Sequence, residues 1–572
     1  MTTRDVGCEL RASLAVLRSY WGRCIAFSWT ASLLVLVSTV YMFEVYDRVV
    51  NSRSEMTLWM LTVFVLLVYA VMEFVEWSRS ETLRAMGKAW DASMTPRLLD
   101  VAKRAKLQRH DPQPAQPLMD FRTLRDGLMN PVVGACMEAP MALVILIVLF
   151  SFHPLLGWVS LLGALVQLGI TAWNEKSSSP ALREAGRASA AAQASLDEAL
   201  RHTDVVSAMG LQPALRQRWG YWQSRLLNQQ STASDSAGVL QASSKFVQTL
   251  MGSLLLGLSA YLLLKDELPG GGGLMIVASV LGGRLLAPLV MAVTQWRAVV
   301  QMREAWHRLA GNLIAFPPLP PSMALPAPRG HVTAEGVWAL APGGTTALLK
   351  GVQLSLPPGQ CLAVLGPSGS GKTTLARVLV GFWSASQGKV RLDGADLHAW
   401  DKNELGPFLG YLPQSVDLLD GTLSENVARF ANPDPDALHR ALVATGLDVL
   451  ANDWPEGVET YLGREGVRLS AGQRQRVGLA RAIYGDPAFV VLDEPSAHLD
   501  QDGELMLIEL ITSLQARGAS VVVMTHRNAL LANVDQLLIL RDGVQQAYGP
   551  RDDVIKALQK AAMAAAQNGA RT

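Results

Sequence analysis

The first half of the chain alternates between long apolar runs and long polar ones. Apolar runs cover residues 24–43, 58–75, 132–152, 154–173, 246–264 and 273–293. Each is close to the ~20 residues a helix needs to cross a bilayer. The runs come in pairs. A short polar joint, residues 44–55, links the first pair, and the tight His153-Pro154 break links the second. Lys-Asp-Glu-Leu-Pro and four glycines link the third. Two hydrophilic stretches, 76–130 and 174–243, separate the pairs and read as mostly helical. The basic excess of the first marks the cytoplasmic side, and Gln113-Pro114-Ala115-Gln116-Pro117 interrupts it. The pattern predicts an all-α domain over 24–315 with six spans, two long cytoplasmic extensions, and both ends cytoplasmic.

Before the first run, Arg4, Arg11, Arg18 and Arg23 stand among Leu10, Leu14 and Leu17. That spacing suits an amphipathic helix over 1–23 lying on the membrane surface; a loose tail is the other reading. Glu138 and Arg284 fall in or near spans, where a charge faces a bundle interior or water. Arg284 is a candidate for lining a path, with snorkelling or structural pairing as its alternative.

The pattern changes at the Pro-rich stretch 316–330, a stiff linker without a core of its own. From 331 to 560, strand-like runs alternate with helix-like ones, which is the α/β signature. The Ala-rich tail, 561–572, carries no motif.

Composition agrees with a membrane protein. The 572 residues are 50% hydrophobic and 17% charged, with mean hydropathy +0.21, whereas soluble chains average about 25% charged. The net charge of +1 gives no global field for nucleic acid. The four cysteines lie far apart, without metal or disulfide spacing. No cleavable signal peptide is evident.

The chemistry centres on residues 361–382. Gly366, Gly371, Lys372 and Thr373 have phosphate-loop spacing, between a short apolar strand and an amphipathic helix. The loop (Gly366, Pro367, Ser368, Gly369, Ser370, Gly371, Lys372, Thr373, Thr374) offers backbone N–H groups and a helix N-terminus to phosphates. Lys372 would reach the β- and γ-phosphates and Thr373 would hold Mg²⁺. A second apolar strand, 489–493, ends in Asp493 and Glu494. The first can hold Mg²⁺ through water, and the second can orient an attacking water. Ser470 and Gln473 have capping-box spacing, so a helix should start there and stop by Gly485.

Together these residues resemble an ATP-binding cassette. Leu469-Ser470-Ala471-Gly472-Gln473 resembles the family signature, with Ala471 in place of one of its two glycines. Gln414 matches the glutamine loop, residues 496–500 through Asp500 the aspartate loop, and His526 the switch histidine. One membrane half followed by one cassette looks like an ABC exporter half-transporter, which works as a homodimer. Residues 40–58, 149–166, 200–219, 279–289 and 294–309 resemble type I secretion permease/ATPases of the protease- and lipase-exporting kind. The short run before the first span favours that branch over relatives with a peptidase-like domain.

The resemblance implies ATP between two cassettes. Glu494, His526 and Gln414 would be catalytic, and Thr373, Gln414 and Asp493 would hold the metal. Ser470, Ala471, Gly472, Gln473 and Asp500 would come from the other copy. It further implies export of an unfolded polypeptide with a C-terminal signal across an inner membrane, into a periplasmic adaptor and an outer-membrane channel. Lipid or drug export, or a non-transporting sensor, are the rival readings. Besides Ala471, two departures matter. The adenine-stacking aromatic is Ala341, for which nearby Trp338 is a candidate substitute. The segment 460–466 before the signature also differs from the usual one.

Overall fold

The computed structural model describes residues 8–109, 113–268, 271–318, 325–341, 344, 346–463 and 469–569. The chain divides into two compact units, one of residues up to 106 and 111–318, the other of residues 319 onward with 107–110.

The first unit is helical. Its helices are α1 (Cys8–Val16), α2 (Arg18–Glu44), α3 (Val50–Ser52), α4 (Glu55–Arg109), α5 (Gln116–Gly127) and α6 (Pro131–Phe152). Then come α7 (Pro154–Arg201), α8 (Thr203–Ala208), α9 (Gln212–Leu264), α10 (Gly271–Thr294) and α11 (Trp296–Ala315). Six helical stretches among the described residues are long and apolar enough to cross a membrane. Only 11% of the apolar window in Glu55–Leu107 is buried within the protein, against 44% in Gly271–Thr294. The first therefore leaves its apolar surface for lipid, and α10 is the central helix.

Local chemistry sets the breaks. His153 is extended, its Nδ1 accepts from the Leu155 amide at 3.2 Å, and Pro154 opens α7. A proline at the first helical position sacrifices only an amide that has no intrahelical partner. Asn130 caps α6 in the same way, through the Val132 amide at 3.0 Å. The polar joint after the first span stays helical for most of its length. Helix continues through a π turn, Val45–Val49, and α3 before Arg53 turns left-handed at φ 49°.

The N-terminal reading is corrected. Leu10 and Leu17 are buried among Trp90, Leu98, Phe121, Leu309 and Phe316. Trp90 Nε1 donates to Ser13 Oγ at 3.0 Å, and Arg97 Nε donates to Glu9 Oε1 at 2.7 Å. The apolar face of α1 thus covers protein rather than lying on a bilayer surface or hanging loose. Residues 1–7, with Arg4, lie outside the described set, as do 319–324 of the linker.

The second unit holds β1 (Val332–Leu340), β2 (Ala347–Leu356), β3 (Cys361–Leu365), β4 (Gln387–Leu392), β5 (Ala395–Asp396) and β6 (Leu409–Leu412). It continues with β7 (Gly421–Thr422), β8 (Tyr461–Leu462), β9 (Phe489–Asp493), β10 (Ser520–Thr525), β11 (Gln536–Arg541) and β12 (Val544–Pro550). Ten of them form one sheet, ordered β5-β4-β1-β2-β12-β11-β3-β10-β9-β6, while β7 and β8 pair separately. The stretch β11-β3-β10-β9-β6 is parallel. Its strands are almost wholly apolar, as parallel strands covered on both faces must be.

Helices α12 (Lys372–Leu379), α17 (Ala471–Ile483) and α18 (Gln501–Ala516) follow β3, β8 and β9. Between α12 and α17 lie α13 to α16 (Lys402–Leu405, Leu423–Val427, Pro435–Ala444, Leu447–Asn452), and α19 (Arg551–Gly569) ends the unit. Leu375 and Leu379 of α12 pack on one side of the sheet, and Val477, Leu507 and Leu510 on the other.

Candidate nucleotide site

The carboxyl ends of β3, β10, β9 and β6 stand side by side, where open α/β sheets place their ligands. Every strand end contributes. After β3 the loop 366–371 turns into α12. A Cβ on Gly366 would meet the Leu540 carbonyl oxygen and Ser370 Oγ, and one on Gly371 would stand 3.0 Å from the Leu348 carbonyl oxygen. Gly369 and Gly371 have φ of 79° and 103°. Glycine is therefore required for both space and backbone shape. Pro367, Ser368 and Gly369 are exposed at the loop's outer edge. Lys372 Nζ donates to the carbonyls of Gly366 (2.7 Å) and Pro367 (3.0 Å), curling over the loop. Thr373 and Thr374 follow in the first turn of α12.

The end of β9 carries the acids. Asp493 is fully buried, and neither carboxylate oxygen has a hydrogen-bond partner among the described residues. Burial pushes its carboxyl above the ordinary carboxylate value. The Thr373 side chain pulls it down, Glu494 pushes it up, and Arg377 and Lys372 pull it down. Burial prevails. Ser370 Oγ is a second buried polar atom without a partner. Orphaned acceptors in such a place are costly unless a cation or donor meets them. The donor set beside the phosphate loop, the Asp493 carboxylate with the Thr373 hydroxyl next to it, fits Mg²⁺.

Glu494 has a left-handed backbone, φ 51°, and its amide donates to the Met524 carbonyl at 2.9 Å. Its carboxylate lies between two side chains. Gln414, just beyond β6, donates Nε2 to Oε2 at 3.4 Å. His526, just beyond β10, places Nδ1 3.7 Å from Oε1.

The signature residues form a second locus on the same unit. Ser470 caps α17: its Oγ accepts from the Gln473 amide at 3.2 Å, and Gln473 Oε1 accepts from the Ser470 amide at 2.8 Å. A Cβ on Gly472 would lie 2.8 Å from the His498 carbonyl oxygen. The N-terminus of α17 therefore sits directly on the loop 496–500. Asp500 caps α18 through the Gly503 amide at 2.9 Å. That bond, followed by Arg476, holds its carboxyl below the ordinary value. Ser470, Ala471, Gly472, Gln473, Arg476 and Asp500 line a depression of about 620 Å³.

Trp338 is on β1, and a Cβ on Gly351 would be 3.6 Å from its Nε1. Ala341 is held in the following turn by Thr346. Among the described residues, no hydrogen bond joins Trp338 to the phosphate loop. Pro342 and residues 464–468 before the signature lie outside the described set.

Residues 349–497 match the family described as ABC transporter, and residues 21–285 match the ABC transporter transmembrane region. The chain is 36% identical to the type I secretion system ATP-binding protein PrsD of Rhizobium meliloti (strain 1021), over 92% of this chain and 90% of that one. The chain belongs to the ABC transporters of type I secretion. It is 25% identical to the Toxin RTX-I translocation ATP-binding protein of Actinobacillus pleuropneumoniae, over 91% of this chain and 74% of that one. The fold is that of a bacterial Atm1-family ABC exporter solved with ATP bound, with TM-score 0.81 and 20% identity over 97% of this chain and 99% of that chain. As a type I secretion ABC transporter, the protein is a multi-pass protein of the inner membrane. Its nucleotide-binding domain is cytoplasmic, and it is an ATP-using transporter.

The structure adds residues that the motifs do not mark. Gln475 Nε2 donates to the carbonyls of Glu494 (3.4 Å) and Pro495 (3.2 Å), tying α17 to the end of β9. Arg481, in the last turn of α17, donates to the Asp417 carbonyl at 3.1 Å and to Asn426 Oδ1 at 2.6 Å. It anchors the segment that follows Gln414. Arg429 donates to the carbonyls of Gly406 (2.6 Å) and Leu409 (3.1 Å) beside β6, and to those of Arg481 (3.1 Å) and Ala482 (3.2 Å) on α17. For Gln475 and Arg481 the sequence signal is a polar residue on the helix opened by Ser470, and Arg429, in the turn after α14, carries none.

Proposed function

We propose that the protein is an ATP-driven exporter of an unfolded polypeptide. The substrate would carry a C-terminal signal and pass from the cytoplasm across the inner membrane into a periplasmic adaptor and an outer-membrane channel. The observation that carries this reading is that the likeness to a type I secretion protein runs through membrane half and cassette alike, over 92% of the chain.

The working form is a homodimer with ATP held between two cassettes. Residues 366–374 of one copy cradle the phosphates, and Lys372 leaves its loop carbonyls for phosphate oxygens. Trp338 is the aromatic closest in sequence to the adenine position. Thr373, Gln414 and Asp493 hold Mg²⁺, which supplies charge neutralisation at the phosphates. Glu494 orients and deprotonates the attacking water, with Gln414 and His526 holding its carboxylate and the γ-phosphate end of the site. The other copy contributes Ser470, Ala471, Gly472, Gln473 and Asp500. The open N-terminus of its α17 presents N–H groups and a positive dipole end.

The test is affinity capture of the Glu494→Gln protein from its native membrane with ATP present. An adaptor and a stalled polypeptide should come down together. Recovery of lipid or a small amphiphile as the sole stalled cargo would favour the lipid-exporter reading.

A further inference from the structure

Arg284 takes no part in the nucleotide site. It lies on the membrane-spanning helix α10. Among the described residues it makes no hydrogen bond and no ion pair. It lines a cavity of about 410 Å³ framed by α2, α4, α6 and α10. On the same cavity, Arg79 Nη1 donates to Glu138 Oε1 at 2.6 Å. Glu138 and Tyr69 are the groups within electrostatic reach of Arg284. Glu138, the acid within electrostatic reach of Arg284, is therefore already engaged by Arg79, which leaves the Arg284 cation without an ion-pair partner among the described residues. Pro288, one turn on, lacks the amide that would bond the Arg284 carbonyl.

The cavity continues along the same helices as a wholly different surface. A second cavity of about 320 Å³ is lined by Val40, Phe43, Val148, Phe152 and Leu281. Leu36 and Ile145 line both. Helices α2, α6 and α10 thus frame one groove, charged at one end and apolar along the rest. Leu274 of the apolar part and Arg284 are ten residues apart on α10, about 15 Å along a helix. Half the hydrocarbon core of a bilayer is also about 15 Å.

We propose that this groove binds one phospholipid, its phosphate on Arg284 and an acyl chain along the apolar part. An arginine fork matches two phosphate oxygens with paired N–H groups. A cation held in a membrane helix calls for a counter-ion, and the phosphate supplies it. Glu76, also without a partner among the described residues, lines the same cavity. It opposes a second negative charge, so a single phosphodiester suits the site better than a doubly charged headgroup. The long apolar continuation suits a hydrocarbon chain and offers nothing to the backbone of a passing polypeptide.

The test is native mass spectrometry of the purified full-length protein. Phosphatidylglycerol and diacylglycerol with the same chains are the probes. The wild type should retain phosphatidylglycerol and not diacylglycerol. Arg284→Gln should lower retention at least about tenfold, the scale of a charge-assisted contact, and Arg284→Lys should restore part of it. Leu281→Trp, which fills the apolar part, should lower retention with Arg284 intact. Unchanged ATP hydrolysis in all three variants shows that they are folded. Equal retention by Arg284→Gln and wild type would overturn the site. Full retention by Leu281→Trp would overturn the placement of the chain. An acidic polypeptide that displaces the lipid in an Arg284-dependent way would reassign the groove to cargo.

Discussion

His526 Nδ1 stands 3.7 Å from Glu494 Oε1, with Gln414 on the other carboxylate oxygen. Three strand ends thereby meet at one carboxylate. If Glu494 is the general base proposed above, it is placed before any nucleotide arrives.

The first prediction concerns that carboxylate. Glu494→Gln keeps the shape and hydrogen-bonding reach but removes the base. Turnover should fall by about 10²–10⁴, the usual contribution of a positioned acid–base group. ATP affinity should be kept, and the nucleotide-bound dimer should accumulate. Steady-state hydrolysis and chemical cross-linking between copies check both parts.

Asp493 gives a prediction about stability. Its carboxyl is raised by burial, so the folded domain holds that proton more tightly than the unfolded chain does. The stabilisation is therefore complete below the ordinary carboxylate value, and it is lost as pH rises through the raised one. In Mg²⁺-free buffer, the wild-type cassette should lose stability over that rise. Asp493→Asn should not, and near neutral pH it should melt a few degrees higher, about 1–2 kcal/mol of relieved desolvation. The same substitution should abolish stabilisation by Mg²⁺ with ATP. Thermal unfolding across pH, with and without Mg²⁺ and ATP, reads all three effects.

Ser470 has two duties that a variant can separate. Ser470→Ala removes the acceptor of the Gln473 amide and should cost about 0.5–2 kcal/mol of cassette stability, the ordinary loss for an N-cap. Ser470→Asp preserves a capping oxygen but places a negative charge where the other copy's γ-phosphate would lie. It should melt near wild type and fail to hydrolyse ATP. Calorimetry and turnover on the two variants distinguish cap from phosphate contact.

Trp338→Ala should weaken ATP binding, by about 1–3 kcal/mol if the indole stacks on the base as aromatic side chains do elsewhere. GTP should weaken equally, because stacking does not discriminate between purines. Unchanged affinity in a fluorescence titration would assign the ring to covering Gly351 alone.

Much of the fold is legible because apolar runs and breakers act locally. The spans follow from run length, the His153-Pro154 corner from its proline, and the start of α17 from Ser470 and Gln473. Less legible is what a helix covers. Leu10 and Leu17 would have the same spacing on a bilayer surface as in their place against Trp90 and Leu98. The helicity of residues 45–52 is hidden as well, because a polar joint outside a span can remain helical until one residue, here Arg53, turns left-handed. In the cassette, the motifs name Gln414, Glu494 and His526, and the sheet order explains why residues so distant in sequence meet. Gln475, Arg429 and Arg481 are silent in the sequence because their partners are mostly backbone carbonyls on other elements. A carbonyl leaves no mark on residue type.

The central claim is that each working site is shared between two copies. It is tested by pairing two inactive variants in one dimer, Lys372→Ala and Ser470→Arg, co-expressed with different tags and purified through both. If the phosphate loop of one copy works with the Ser470 helix of the other, the mixed dimer has one site with both lesions and one with none. ATP hydrolysis should then reappear, although each variant alone is inactive. A mixed dimer as inactive as its parents would contradict the account.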